Sequence, residues 1–85
     1  MAPIESHLAV IDNVSDTVEL RTEHLKLLEE NLRAGKQPDI NTKLFDVLQC
    51  CIRHIQSKER TIVEESGLVL GVTLHSKLSR VEYGG

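Results

Sequence analysis

Ile4, Ile11, Val18, Leu25 and Leu32 recur at seven-residue intervals, with Leu8, Val14 and Leu28 at the intermediate positions. In an α-helix that spacing gathers the residues on one stripe, and an apolar stripe in water requires a surface to pack against. The pattern therefore predicts a helix over about 3–34. Pro3 suits its first position, where the missing N–H has no intrahelical partner, and Glu5 meets the positive end of the helix dipole. A competing signal lies at Asp12 to Thr17, DNVSDT. Short polar side chains of this kind bond their own backbone and favour caps, and Asp16 with Glu19 forms an imperfect capping box. Two versions follow: one helix throughout, or a short helix that breaks near Asn13. The unbroken heptad phase favours the single helix. His7 and His24 fall on or beside the seam and read as partly exposed polar residues.

A second apolar stripe runs through Asn41 to Val63, where Leu44, Leu48, Cys51, Ile52, Ile55 and Ile62 share a helical face. Gly35 suits the end of the first helix because glycine enters the left-handed region at low cost, and Arg33 places a cation in the last turn. The link GKQPDI is short, which makes the two helices antiparallel neighbours. Asn41 reads as the N-cap of a helix over about 41–65, with Ile40 and Phe45 as a hydrophobic staple. Glu64 and Glu65 would be badly placed at a helix C-terminus, so a clean stop at Val63 is not expected.

Residues 67–81 admit two readings. Val63, Gly67, Leu70, Leu74, Leu78 and Val81 continue a helical stripe, and Gly67 and Gly71 would allow close approach of another helix. Leu68 to Leu74, LVLGVTL, is uncharged and rich enough in β-branched residues to form a strand. A lone strand would need a second one from elsewhere, which favours helix.

The chain of 85 residues reads as a single small helical domain, 1–85, near the lower limit for folding alone. Phe45 and Tyr83 are its only aromatic residues, so the core must be aliphatic. The expected fold is all-α: an antiparallel helical hairpin with a short third helix or apolar C-terminal tail, stabilised by oligomerisation or a partner. Residues 1–40 hold eight acids against four bases, and residues 41–85 five against six. That weak complementarity fits packing of one half on the other, or antiparallel self-association, better than binding to a polyanion. The apolar run Leu68 to Leu70 is far too short to cross a bilayer.

Cys50, Cys51 and His54 form the one group of metal-type ligands, at spacings that share a helix face. Zinc calls for four ligands, and no second pair completes the set. A thiol nucleophile beside His54 would need a pocket and an orienting third group, which a chain of this size hardly provides. The reading is therefore no catalytic, cofactor or metal residue, with Cys51 a small buried hydrophobe. The opening MAPIESHLAV lacks the basic start and apolar run of a secretory signal, and two adjacent cysteines make no structural staple, so a cytoplasmic setting, or host cytoplasm for a viral protein, is expected.

Function is expected to be non-enzymatic: an adaptor, small chaperone or inhibitor of the bacterial or phage-encoded kind, presenting an apolar helical surface to a protein partner. Leu68, Leu70, Val72, Leu74 and Leu78 are the expected partner-binding residues. Ile4, Ile11, Val18, Leu25, Leu32, Leu48 and Ile55 are the expected self-association seam, forming a homodimer. The alternative is a small dimeric nucleic-acid-binding regulator using Arg53, Lys58 and Arg60, although no basic patch or aromatic stacking platform supports it.

Overall fold

The structure is a computed structural model that describes the backbone of residues 2–84 and the side chains of residues 2–75. Four helices follow one another: α1 (Ile4–Asp12), α2 (Val18–Arg33), α3 (Ile40–His54) and α4 (Arg60–Gly84). No strand occurs among the described residues, so the segment 67–81 is helix.

The single helix expected over 3–34 is two. Asn13 closes α1: its Oδ1 accepts from the Ser15 N–H at 3.1 Å and its carbonyl from the Asp16 N–H at 3.0 Å. Thr17 then takes extended backbone angles, and its Oγ1 accepts from the Leu20 N–H at 3.1 Å, capping α2. The cap-favouring side chains of this stretch outcompete helix continuation, and Val14 is left exposed in the turn. The start is also displaced, since Pro3 is the N-cap and Ile4 the first helical residue.

The other boundaries differ for similar reasons. At the end of α2, Gly35 adopts φ +70°, and bonds from Gly35 N–H to Leu32 O and from Lys36 N–H to Asn31 O complete a Schellman closure. The α3 helix begins at Ile40 with Asp39 at the N-cap position, two residues before the expected Asn41 cap. The Asp39 carboxylate is drawn away to accept from the Ile4 N–H at 2.7 Å, so it caps α1 across the fold. Ile40 packs on the core while Phe45 is 69% exposed, which leaves the expected staple unformed. The helix expected over 41–65 stops at His54. The Ser57 Oγ accepts from the Glu59 N–H at 3.1 Å, and a new helix starts at Arg60. Glu64 and Glu65 consequently lie toward a helix N-terminus, where the dipole favours acids.

The packed helix pairs are α1 with α2, α1 with α3, α2 with α4, and α3 with α4. Each helix thus lies against two others in a closed cycle, in place of the expected hairpin of two long helices. Ile4, Leu8, Ile11, Leu25, Leu28, Val47, Cys50, Cys51, Ile62 and Val69 form the core, drawn from all four helices.

This packing redistributes the expected self-association seam. Ile4, Ile11 and Leu25 are buried inside the single chain, and Val18 and Leu32 pack partly buried against the same core. Leu48 on α3 is likewise half-buried, and Ile55, the C-cap residue that follows α3, is 38% exposed. His7 is 4% exposed, contrary to its reading as a partly exposed residue, because α2 folds back over it. No helix among the described residues is long and apolar enough to cross a membrane.

Candidate functional site

Two features stand out from the fold: a polar cluster where α1 ends, and an apolar groove between α2 and α4. The cluster joins Asp12, the last residue of α1, to Arg21 on α2 and to Cys50, Arg53 and His54 on α3. The spacing of the α3 residues puts all three on neighbouring positions of one helix surface. The His54 Nε2 lies 2.6 Å from Asp12 Oδ1, and the Cys50 thiol donates to the same oxygen at 3.5 Å. The Arg53 Nη2 bonds both Asp12 oxygens, at 3.1 and 2.9 Å. Arg21 is buried, with Nε donating to the Ile11 carbonyl at 2.9 Å and Nη2 lying 3.3 Å from His54 Nδ1.

The arginine decides the histidine's tautomer. A guanidinium has donors only, so His54 Nδ1 must accept, which places the ring proton on Nε2 and directs it at Asp12. Burial raises the affinity of Asp12 for a proton, but hydrogen bonds from His54 and Arg53 outweigh it and hold the carboxyl below its usual range. The Cys50 thiol is pushed far up, by burial first and then by the Asp12 carboxylate beside it. Burial alone pushes Cys51 up to about 11. Both sulfurs therefore stay protonated near neutral pH and are poor nucleophiles.

The ligand atoms of Asp12, Cys50 and His54 lie within 4.8 Å of one another, as a metal site would require. The donor set does not fit one. A metal would take the His54 Nε2 lone pair, which carries the proton, and would turn an Nδ1 N–H toward Arg21, where a second-shell acceptor is needed. Two guanidinium cations beside the site add electrostatic opposition to a divalent ion. The cluster is instead a clasp that ties the end of α1 to α2 and α3. Sequence reasoning singled out Cys50, Cys51 and His54; the structure keeps Cys50 and His54 together, turns Cys51 into the core and adds Asp12 and Arg21, for which no local signal existed.

The groove is lined by Leu32 and Arg33 of α2 and by Gly67, Leu68, Gly71, Val72 and His75 of α4, with a volume of about 520 Å³. Nothing lies within 4 Å of the position that a Cβ would take at Gly67 or Gly71, so the close approach expected there is not made within the chain. Of the expected partner-binding residues, Leu68 (48% exposed) and Val72 line the groove, Leu74 (43% exposed) lies outside it, and Leu70 packs on the core. The Leu78 side chain lies outside the described residues. Of the basic residues considered for nucleic acid, Arg53 bonds Asp12 and Arg60 bonds Glu64 at 2.9 Å.

Comparison with protein-family models, with curated proteins and with solved structures finds no match.

Proposed function

We propose that the chain is a non-enzymatic protein-interaction module that receives an apolar helix of another protein in the groove between α2 and α4. The observation that carries this reading is the bare backbone at Gly67 and Gly71, flanked by the outward Leu68 and the half-buried Val72. A stripe of this kind lets a second helix approach closely, and an amphipathic helix would supply apolar side chains at matching turns. Arg33 and His75 on the rim offer polar contacts that fix orientation. The clasp supports a binding role over catalysis, since its Cys50 thiol is held protonated and its histidine and carboxylate bond each other and two arginines. Two free, buried thiols suit a reducing compartment such as the cytoplasm.

The reading is tested by selecting helical peptides from a random library on the immobilised protein and comparing Leu68→Glu and Gly71→Arg with the wild type. Both positions are open, so circular dichroism should register unchanged helicity. Bound peptides should carry an amphipathic pattern and lose tenfold or more in affinity for either variant, about 1.4 kcal/mol. Failure to select any peptide, or peptides indifferent to both variants, would reject the groove as the binding surface.

A further inference from the structure

The α1 helix is the shortest of the four, and polar contacts fasten it at three heights. At its start the Asp39 carboxylate accepts from the Ile4 N–H, Gln37 reaches the Ala2 carbonyl at 3.4 Å, and Glu5 pairs with Lys43 at 3.0 Å. At its end Asp12 is held by His54 and by two bonds from Arg53. Between these, His7 meets His24 of α2, Nδ1 to Nδ1, at 3.0 Å. The ring centroids are 5.2 Å apart, so the facing nitrogens lie between the two rings, along the line of a hydrogen bond.

The middle fastening differs from the other two in what it requires. Arg53 stays charged, and His54 presents an Nε2 proton to Asp12 whether its ring is neutral or charged, so the clasp at the end of α1 does not need a neutral histidine. The His7–His24 contact has room for a single proton. It tolerates one charged ring, which donates to the other, and fails when both are charged, because each Nδ1 then carries an N–H. His7 has nowhere else to turn: it is 4% exposed, and its Nε2 is already buried without a partner. The helices packed against α1 are α2 and α3. The groups they present to His7 are His24 from α2 and Asp39 from the N-cap of α3. Asp39 favours a charged His7, but its two oxygens already accept from the Ile4 N–H and from Gln37, and burial outweighs its pull.

We propose that the His7–His24 contact is a proton-operated latch: with both rings charged, the N-terminal part of α1 lifts from α2 and α3 about the Asp12 clasp. The start of α1 is the end that gives way, since the Glu5–Lys43 pair is solvent-exposed and contributes little. Lifting uncovers Ile4 and Leu8, which are otherwise buried in the core. The other three helices stay joined, because α4 packs on both α2 and α3. No residue of α1 lines the α2–α4 groove, so the latch does not rest on the binding role proposed for that groove. In the lifted form His7 is in water and takes up its proton near the ordinary 6.5, whereas the closed form resists the charge. The lifted form therefore gains on the closed form as pH falls below that value, by at most about tenfold per pH unit for one proton.

The test is hydrogen exchange of the full chain, read amide by amide by NMR at about pH 7.5 and about pH 5.5 over a series of low urea concentrations. Rates are corrected for intrinsic exchange at each pH. A helix of nine residues does not hold its hydrogen bonds once off its support, so lifting exposes its amides. The α1 amides should exchange through an opening with a shallower urea dependence than that of the α4 core amides at Ile62 and Val69. The constant for that opening should be about tenfold larger at the lower pH. His7→Phe should abolish this rise. His24→Asn, which cannot be charged and offers its Oδ1 to a His7 N–H, should reduce it. Exchange of α1 and α4 along a single urea isotherm, an α1 opening that is equal at the two pH values, or a rise left intact in either variant would each overturn the proposal. If a variant fails to fold, the wild-type comparison decides by itself.

Discussion

His7 holds an imidazole with one nitrogen, Nε2, buried and without a hydrogen-bond partner, and the other 3.0 Å from His24 Nδ1. One proton fits between the two facing nitrogens, so charging both rings would set two N–H groups head to head. Burial first, and then the proximity of His24, lower the His7 pKa from the ordinary 6.5, with Asp39 acting weakly in the opposite sense. The unfolded chain therefore takes up this proton at a higher pH than the folded chain does. Stability from a neutral His7 is complete above the unfolded value and is lost as pH falls from there toward the depressed folded value. For one proton the slope is at most about 1.4 kcal/mol per pH unit. Urea unfolding should shift to lower denaturant between about pH 7.5 and about pH 5.5, and His7→Phe should flatten that change. An unaltered pH dependence in the variant would show that other groups govern it. Neither the burial of His7 nor that of Arg21 was legible in the sequence. His24 and the Ile11 carbonyl reach them only because α2 folds back on α1.

At the level of elements, boundaries made by local chemistry were legible and boundaries made by distant groups were not. Gly35 announced the end of α2, since a closure that needs φ > 0 is a property of the residue itself. Gly35→Ala should destabilise the protein by about 1 kcal/mol despite open space around it, because the strain lies in the backbone. Thr17→Ala, which removes the cap of α2, should cost about 1 kcal/mol for a different reason, an orphaned Leu20 N–H. Both are measurable as shifts in the urea midpoint, and their sum should be additive because the sites share no partner. The turn at Asn13 was visible in DNVSDT, but the heptad phase argued for continuity. That phase persists across the turn because α1 and α2 contribute residues to one core, so a seven-residue repeat reported a shared core and not a single helix. The displaced start of α3 was not readable at all, since Asp39 answers to an Ile4 N–H far away in the chain.

The whole molecule has little stability to spare. Chains of this size are stabilised by roughly 4–13 kcal/mol at the usual value per residue, and among the described residues the core contains no Phe, Tyr or Trp to broaden its contacts. Ile62 is fully buried at the meeting of α4 with the rest of the core, and Ile62→Ala should cost about 2–5 kcal/mol. A loss of cooperative thermal unfolding in that variant is the expected outcome, whereas a melting temperature within a few degrees of the wild type would mean that α4 is not integral to the core.

The sequence by itself determined that the chain is helical, that its core is aliphatic and that glycine ends α2, because periodicity, composition and a left-handed closure are properties of neighbouring residues. Only the tertiary structure decided which stripe faces inward. The same spacing marks Ile4 and Ile11, which are sealed in the core, and Phe45 and Ile52, which are not. Apolar periodicity records that a helix has a face to cover, and the arrangement of all four helices fixes whether that cover comes from the same chain.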